Sequence, residues 1–447
     1  MLSASFQNRL DLRYCSSHQP NENSQTTPLS IAQNTSIATR QQLYTIDATS
    51  PGLVFFLPHG TRIFNKLITF MRHQQMRYGF EEVITPLIYK TELWEKSGHW
   101  QNYKEDMFKV EGNEERDDES LKQQYGLKPM NCPGHCILYS KIERSYNELP
   151  IRFLDFSLLH RNEASGALTG LTRVRRFHQD DGHIFCQLDQ IETEISKSIQ
   201  LMKETYAVFG IEKVEYKLLT RPEKYMGDTE TWNVAEKTLS EVLDSMGDDW
   251  SIREGDGAFY GPKIDVLITD AHSKQHQIGT IQLDFQLPQR FELYYVDKEG
   301  LRSQRPIMVH RAVFGLLERF FAILLDHFQG KWPFWISPRQ AIVIPVNDAH
   351  VEYVNDVAAQ LRGDIIQPSV SPISGHNFWV DVDSRSETVG YRIKDAILKG
   401  YLYIVVVGDK DIENGTVAVR TRDSRKMEFL SVEQLYTKFV ELEKAYK

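Results

Sequence analysis

The hydrophobic positions of this 447-residue chain follow two patterns, one on each side of residues 331–335. Before that segment, short apolar or alternating runs follow one another, and such runs are typical of strands. After it, strand-like and helix-like runs alternate over about 110 residues. The pattern predicts an antiparallel α+β domain followed by a small α/β domain.

The same periodicities predict the individual elements. In the first part, apolar residues at every third or fourth position predict helices at 61–78, 190–209 and 312–328. Strands are predicted there at 80–84, 213–219, 263–269, 275–285 and 291–296, with two more inside 154–185. In the second part, strands are predicted at 341–346, 378–382, 401–407 and 416–421, and helices at 350–361, 389–398 and 432–446.

The first 42 residues differ in composition from the rest of the chain. Between Ser16 and Gln42, 17 of 27 residues are Ser, Thr, Asn or Gln, and lysine is absent before Leu43. Arginine with many hydroxyl residues and little acid is typical of an organelle transit peptide, although a disordered tail has a similar composition. We therefore divide the chain into a transit peptide or disordered tail (1–42), a first folded domain (43–335) and a second domain (336–447).

Overall composition excludes several classes of protein. The formal net charge is −9, whereas a protein that only coats nucleic acid is usually basic, so an RNA partner would need local basic patches. Four cysteines in 447 residues form no disulfide framework, which leaves buried thiols or a metal site. No stretch approaches the roughly 20 apolar residues of a membrane span, so we expect no membrane partner.

The segment 160–185 carries the densest set of chemically active side chains. On a strand, side chains two positions apart point to the same face. Four residues of this segment have that spacing, namely Phe177, Gln179, Asp181 and His183. Such a row makes a poor core and a suitable floor for a binding site. The connection before it is flanked by Arg161 and Arg173, whose guanidinium groups can bind polyphosphate.

These residues resemble the second signature motif of the class II aminoacyl-tRNA synthetases. Residues 79–86 resemble the first motif, which forms much of the dimer interface in that class, and residues 315–319 resemble the third. The resemblance implies an antiparallel catalytic sheet flanked by helices, and a homodimer. It also implies ATP as a substrate, with Mg2+ bridging the phosphates.

By the same resemblance, five residues contact ATP. Arg161 would hold the α-phosphate, and Glu163 would contact the adenine edge. Phe177 and Arg319 would sandwich the adenine ring, and Arg173 would hold the outer phosphates. Attack of a carboxylate on the α-phosphorus builds up negative charge, which preorganised cations stabilise. Arg161 and Arg319 are therefore the catalytic candidates.

Two further segments, 130–135 and 309–312, resemble motifs of the threonyl-tRNA synthetases. In that family one cysteine and two histidines bind a zinc ion. The resemblance therefore implies one Zn2+ per chain, held by Cys132, His183 and His310. One thiolate and two imidazoles leave the fourth position open, as a catalytic zinc requires.

Two other interpretations of Cys132 stay open at this point. Cys132, His135 and Cys136 are close in sequence and could form a local metal knuckle, although no second cluster completes it. Cys132 could also be a buried apolar residue, which is the usual role of a free cysteine. Only the family resemblance favours the distant histidines.

An open zinc position would explain how threonine is distinguished from valine. A metal that binds an amine and a hydroxyl together rejects an amino acid without the hydroxyl, which a hydrophobic pocket alone does poorly. Asp181 would accept a hydrogen bond from the threonine hydroxyl. The resemblance adds further residues around the threonine and ATP pocket, namely Met130, Gln179, Tyr260, Lys263, Gln277 and Gln282. Gln277 is expected near ATP. It lies five residues before Gln282, so on a regular strand the two side chains would point to opposite faces, and both reach one face only across a β-bulge or twist.

Serine carries the same amine and hydroxyl, so zinc does not exclude it fully. Many family members remove serine with an N-terminal editing domain, and we expect none before Leu43, as in the short fungal mitochondrial members. Together with the composition of residues 1–42, this predicts an enzyme of the mitochondrial matrix.

The second domain resembles the anticodon-binding domain of several class II synthetases, through residues 408–411 and 417–422. Arg420 is the main candidate contact to tRNA(Thr), with Lys399 and Asp411 as weaker candidates, although each could simply be a solvated residue. The predicted function is ATP-dependent joining of L-threonine to the 3′ end of tRNA(Thr). The alternatives are a class II synthetase for another amino acid and a non-catalytic RNA-binding paralogue.

Overall fold

The computed structural model describes residues 28–111, 124–270, 272–363 and 377–447. Within these ranges the α-helices are α1 Pro28–Gln41, α2 Pro58–Arg77, α3 Thr91–Ser97, α4 His99–Tyr103, α5 Cys132–Ser140, α6 Ile191–Val208, α7 Thr229–Met246, α8 Gln286–Arg290, α9 Leu317–Phe328, α10 Val351–Arg362, α11 Val389–Lys399, α12 Asp409–Asn414 and α13 Val432–Lys444. None of the described helices is long and apolar enough to cross a membrane.

The strands form two main sheets and three small ones. In the first part of the chain they are β1 Tyr44–Ile46, β2 Val54–Phe56, β3 Glu81–Glu82, β4 Ile88–Lys90, β5 Lys109–Val110, β6 Tyr125–Leu127, β7 Ile151–Asp155, β8 Leu158–His160, β9 Arg176–His178, β10 Asp181–Cys186, β11 Val214–Leu219, β12 Trp250–Arg253, β13 Lys263–Thr269, β14 Gln275–Asp284 and β15 Ile307–Ala312. In the second part they are β16 Ala341–Pro345, β17 Val380–Val382, β18 Tyr403–Val407, β19 Val417–Thr421 and β20 Glu428–Leu430.

A large sheet organises the first part of the chain. Its eight strands lie in the order β12-β11-β13-β14-β15-β10-β7-β3. All neighbours pair antiparallel except β11 with β12 and β3 with β7, which are parallel pairs at the two edges. The predicted α+β class and the predicted antiparallel sheet are therefore confirmed.

Strand alternation in this sheet sends side chains to two opposite faces. Ile184 of β10 packs in the main hydrophobic core, together with α2, α6, α7 and α9. Phe185 of β10 and Met308 of β15 pack on the other face, in a smaller cluster with α5 and α8. Because alternate residues share a side, His183 lies with Phe185, and His310 with Met308, on the face toward α5.

The second part folds around a five-stranded sheet in the order β17-β16-β18-β19-β20. The first three strands are mutually parallel, and β19 and β20 add antiparallel at one edge. Helices α10 and α13 pack on one face, through Val354, Leu361 and Phe439. Helix α11 covers the other face through Ala396. This is the α/β arrangement that the alternating pattern predicted.

One predicted strand is wrong. Residues 291–296 have the expected alternation, because Leu293 and Tyr295 are buried in the cluster beside α5. Among the described residues, however, they form no ladder and are paired through single bridges, such as Tyr295 with Gln304. The period of two arises here from packing against α5 and not from a sheet.

The predicted helix 312–328 begins five residues late. Strand β15 continues through Ala312, and Gly315 then adopts a left-handed backbone with φ of 65° before α9 starts at Leu317. A side chain at Gly315 would also meet the Ile278 carbonyl oxygen at 2.5 Å. Only glycine fits this close approach of the two backbones, so the helix cannot extend back through it.

Helix α1 lies inside the stretch 1–42 that was expected to be a transit peptide or disordered. Ile37 and Ala38 pack in the main core. The amide of Gln41 donates to the Gly330 carbonyl at 2.7 Å and accepts from the Trp332 indole at 2.8 Å. The expectation of disorder is wrong for α1, while residues 1–27 lie outside the described residues and the transit peptide stays a prediction.

The two hydrogen bonds of Gln41 tie α1 to the segment that leads into the second domain. We expect Gln41→Ala to lower the free energy of unfolding by about 2 kcal/mol, because it leaves the buried Trp332 indole without an acceptor. Ser36→Ala, at an exposed position of the same helix, should change it by less than about 0.5 kcal/mol. Urea unfolding followed by tryptophan fluorescence measures both. Equal stability of the two variants would contradict a fastening role for α1.

Candidate metal centre and nucleotide pocket

Three donors from distant parts of the chain meet on the α5 face of the central sheet. Cys132 is the first residue of α5, and His183 and His310 are direct cross-strand partners on β10 and β15. The donor atoms of the three side chains lie within 4.8 Å of one another, and all three residues are buried. The structure therefore brings together the three residues that the family resemblance suggested.

The two imidazoles are oriented like metal ligands. His183 Nε2 faces His310 Nδ1 at 3.0 Å, close to the separation of about 3.3 Å expected for two nitrogens on one tetrahedral zinc. The second nitrogen of His310, Nε2, lies 2.9 Å from Asp284 Oδ2. Histidine ligands of metal ions commonly donate their second ring N–H to a carboxylate in this way. The sulfur and two nitrogens suit zinc and leave a fourth position for another ligand.

Burial holds two of the candidate ligands in their uncharged forms. Burial, with His135, His310 and Arg311 nearby, lowers the pKa of His183 well below its usual value, so the ring is neutral and can donate a lone pair. Burial and nearby Asp181 raise the pKa of the Cys132 thiol well above its usual value. A thiolate at Cys132 therefore needs a neighbouring metal ion to stabilise it.

The alternative knuckle of Cys132 with Cys136 is not formed. Cys136 Sγ lies 3.9 Å from Met308 Sδ, inside the apolar cluster behind α5. Among the described residues, the cluster of potential metal ligands contains Cys132 and not Cys136. Cys136 thus behaves as a small buried apolar residue.

The row Phe177, Gln179, Asp181 and His183 is not a single strand. The chain forms β9 and then β10, and β9 pairs with β8 outside the large sheet. Gln179 sits between the two strands and bridges to Leu316 of the third motif. Phe177 packs in the main core, so the prediction that it shares a face with His183 is wrong. Asp181 and His183, both on β10, do share one.

Polar residues surround the donors on the same face. Asp181 accepts a hydrogen bond from Asn131 at 3.1 Å, and its other oxygen lies 3.8 Å from His183 Nε2. The Tyr260 ring lies 5.4 Å from the ring of His310. Met130, half-buried, precedes Asn131 and packs at the edge of the cluster behind α5. Asn131, Asp181 and Tyr260 thus lie beside the candidate metal position.

A β-bulge brings the two glutamines of β14 to one face. Gln282 is opposite His310 on one side and Lys263 on the other. The β13–β14 register shifts where Ile278 is inserted, so Gln277 pairs with Leu267. The extra residue reverses the alternation, and Gln277 and Gln282 both face the site. The bulge required by their opposite parity is thus present.

Three predicted ATP residues, Arg161, Glu163 and Arg173, lie in the connection between β8 and β9, whereas Phe177 is on β9, Gln277 on β14 and Arg319 on α9. The Arg161 guanidinium lies over the Phe177 ring, 5.0 Å from its centre, and Phe177 is only 1% exposed. Glu163 and Arg173 form an ion pair at 2.8 Å. Because Arg161 already covers the Phe177 ring, stacking of adenine on Phe177 requires Arg161 to move aside.

Arg319, the remaining predicted cation of the ATP site, lies on α9. Burial lowers the pKa of Arg319, and the Asp265 carboxylate opposes this shift.

Several residues of the site were not assigned to it from the sequence, although His135 was named as a ligand of the alternative knuckle. His99 Nε2 lies 3.9 Å from Cys132 Sγ, and its Nδ1 lies 2.8 Å from Ser97 Oγ. His135 contacts His183, and Asp284 contacts His310. The one available signal was the position of His135 three residues after Cys132, which puts both on one face of a helix.

The candidate tRNA contacts lie apart from this site, in the second domain. Arg420 is on β19, half-buried, and its Nε has no hydrogen-bond partner among the described residues. Lys399 ends α11 and pairs with Asp395 at 2.8 Å. Asp411 accepts from the Gly408 N–H at 3.0 Å and so caps α12. The fold alone accounts for Asp411, which leaves Arg420 as the better candidate.

Comparisons with known proteins agree with the two-part architecture. Residues 108–328 match the family model "tRNA synthetase class II core domain (G, H, P, S and T)", and residues 340–442 match "Anticodon binding domain". The chain is 52% identical to the mitochondrial threonine–tRNA ligase of Saccharomyces cerevisiae, over 92% of this chain and 91% of that protein. It is 50% identical to the probable mitochondrial threonine–tRNA ligase of Schizosaccharomyces pombe, over 92% and 89%.

A solved structure is also similar over nearly the full length. The crystal structure titled as the RNA binding domain of threonyl-tRNA synthetase from Cryptosporidium parvum superposes with a TM-score of 0.85 at 42% identity. The match covers 92% of this chain and 98% of that one. A prolyl-tRNA synthetase of Giardia lamblia, at 16% identity and a TM-score of 0.67, shares the fold.

The donor geometry predicts which cysteine holds a metal. Cys132→Ser should lose most bound zinc, because it removes the sulfur ligand. Cys136→Ser should keep about one ion per chain, because its sulfur contacts Met308 instead. Elemental analysis after dialysis against trace zinc measures both. Similar zinc content in the two variants would contradict the assignment.

Proposed function

Because the chain belongs to the class II threonyl-tRNA synthetases, we propose how its central sheet selects and activates threonine. The protein is a threonine–tRNA ligase, and like its fungal relatives it acts in mitochondria. The observation that carries the proposal is the meeting of Cys132, His183 and His310 beside Asp181.

The reaction has two steps. First, the threonine carboxylate attacks the α-phosphorus of ATP, and pyrophosphate leaves as threonyl-adenylate forms. Then a ribose hydroxyl at the 3′ end of tRNA(Thr) attacks the carbonyl carbon, and AMP leaves. Arg161 and Arg319 supply cations for the charge that develops at phosphorus. Arg161 Nε is buried without a hydrogen-bond partner among the described residues, so this donor is available to an anion.

Threonine recognition is assigned to the metal centre. Cys132, His183 and His310 would hold one zinc ion, which would supply a Lewis acid for binding the amine and the hydroxyl of threonine. The Asp181 carboxylate, 3.8 Å from His183 Nε2, would accept a hydrogen bond from the threonine hydroxyl. Met130, Gln179, Tyr260, Lys263 and Gln282 would line the remainder of the amino-acid pocket.

The nucleotide occupies the adjoining strands. Glu163 and Arg173 form an ion pair at 2.8 Å. When ATP binds, Glu163 would instead contact adenine, and Arg173 would contact the outer phosphates. Gln277, which shares the face of Gln282 through the bulge of β14, would contact ATP from the other side. Magnesium bound to the phosphates would neutralise charge on the pyrophosphate that leaves.

The second domain would bind the anticodon of tRNA(Thr). Arg420 supports this assignment because it is half-buried on a strand and has a free donor. Lys399, already paired with Asp395, and Asp411, which caps a helix, would contribute less.

A homodimer is proposed through the first motif. Ile84, two residues after the end of β3 at the edge of the large sheet, is 85% exposed. Leu87 and Ile88 nearby are also exposed apolar residues. An apolar patch beside a sheet edge is a typical protein–protein contact surface.

Threonine selection predicts a graded substrate series. In ATP–pyrophosphate exchange, we expect kcat/KM for valine to be about 10⁴-fold below that for threonine, because valine lacks the hydroxyl. Serine, which lacks one methyl group, should fall by about 10- to 200-fold. Efficient exchange with serine or proline in place of threonine would favour a different amino-acid specificity, and exchange with none would favour a non-catalytic paralogue.

The role of Asp181 can be tested in the same assay. Asp181→Asn should lower kcat/KM for threonine by about 10- to 100-fold, the loss of one hydrogen bond to a charged acceptor, with KM for ATP little changed. Asp189→Asn, at an exposed position of the same region, should leave both parameters unchanged. An equal effect of both substitutions would refute a direct contact of Asp181 with threonine.

The dimer is tested at Ile84. Ile84→Asp should raise the monomer–dimer dissociation constant at least about 10-fold, because it places a charge in an apolar contact. Ile252→Asp is the matched control, since Ile252 is exposed on β12 at the opposite edge of the sheet. Sedimentation velocity over a concentration series measures both. A wild-type protein that is active as a stable monomer would exclude the dimer.

A further inference from the structure

His135 is a buried histidine that none of the steps above uses. It lies one turn after Cys132 on α5 and is completely buried. Its Nδ1 is 2.8 Å from Nδ1 of His183, and its Nε2 is 3.7 Å from Asp155 Oδ2. It therefore stands between a candidate metal ligand and a buried carboxylate.

The proton positions in this chain of groups follow from chemistry. If His183 offers its Nε2 lone pair to a metal, its Nδ1 must carry the proton, because a neutral imidazole has one N–H. That N–H then donates to His135 Nδ1, which must be the acceptor. His135 in turn carries its proton on Nε2, the nitrogen that faces Asp155. If His183 instead carried its proton on Nε2, that N–H would point at the metal position, and Nε2 would have no lone pair to offer.

Asp155 is held in place by several donors. Its oxygens accept from Thr85 Oγ1 at 2.7 Å and from the Ser157 N–H at 2.6 Å, and Lys128 Nζ lies 3.6 Å away. Burial opposes its ionisation, but His135, Lys128, Ser157 and Thr85 lower the pKa of Asp155 to about 2. The carboxylate is a fixed anion at the end of the chain of groups. Thr85 belongs to the first motif, so the series of contacts from His183 through His135 and Asp155 extends to that motif.

We propose that His135, with Asp155 behind it, is a positioning residue that fixes the ring of His183 and its protonation for zinc binding. The inference rests on the proposed zinc site. It gives His183 the same kind of support that His310 receives directly from Asp284, with one additional residue in between. Groups that orient metal ligands in this way commonly change metal affinity by 10- to 100-fold when they are removed.

A role for His135 as a fourth ligand does not fit the same geometry. His135 approaches His183 at Nδ1, whereas His310 approaches at Nε2, on the opposite side of the ring. One ion cannot be bound by His310 and His135 across the ring of His183. Within the described residues, the cluster of donors that can share an ion leaves His135 out.

Matched substitutions test the positioning role. Asn and Leu have the same branching, but only Asn places an acceptor oxygen near the position of His135 Nδ1. With zinc alone as the probe and a chelator in competition, His135→Leu should weaken zinc binding at least 10-fold, and His135→Asn should stay within about 3-fold of wild type. Tyr139→Phe, one turn further along α5, removes a hydroxyl that has no hydrogen-bond partner among the described residues and should have no effect.

The outcomes separate this inference from the proposed function. A wild-type protein without zinc affinity would remove the metal site itself. Wild-type zinc affinity in His135→Leu would overturn the positioning role while leaving the zinc site intact. Equal weakening in the Asn and Leu variants would also overturn it, because it would show that the acceptor does not matter.

A measurement on the wild-type protein is independent of how the variants fold. Long-range ¹H–¹⁵N correlation spectra of the zinc-loaded, histidine-labelled protein report which ring nitrogen carries each proton. We expect the proton on Nδ1 of His183 and on Nε2 of His135. A proton on Nδ1 of His135 would overturn the proposal, because two N–H groups would then face each other.

Discussion

The register of β10 against β15 is the constraint on which the site depends. It places His183 directly opposite His310, and the β14–β15 register adds Gln282 on the other side of His310. A slip of one residue would turn each of these side chains to the opposite face, into the apolar core. Alternate residues of β10, such as Ile184, are buried in the main core, and their burial fixes the register. The packing that forms the core therefore also brings the site residues together on the opposite face.

Much of the fold follows from local pattern. Helices α2, α6 and α13 and strands β11, β13 and β14 lie close to the predicted positions, because apolar periodicity and burial agree there. The failures have physical causes. The row from Phe177 to His183 is broken where Gln179 pairs with Leu316, a contact between residues far apart in sequence. Helix α7 was missed although Trp232, Leu239 and Leu243 form an apolar stripe and Asp228 caps its first turn.

The site was less accessible to sequence reasoning than the fold. The separations between Cys132, His183 and His310 match no spacing rule, so only the resemblance to a family singled them out. Asp155 and Asp284 were missed because each acts through a neighbour that is distant in sequence, and His135 was named only as a ligand of the alternative knuckle. Conversely, Glu163 and Arg173 were assigned separate roles, and the structure pairs them with each other. Charged side chains without substrate bind one another, and no pattern in the sequence indicates this.

In the proposed site, a thiolate and two imidazoles hold a zinc ion that binds two atoms of threonine. X-ray absorption at the zinc edge, recorded with and without threonine, measures the ligands of that ion. We expect one sulfur at about 2.3 Å and two imidazole nitrogens at about 2.0–2.1 Å, with additional nitrogen or oxygen ligation when threonine is added. A zinc shell without sulfur, or one that threonine leaves unchanged, would contradict this proposal.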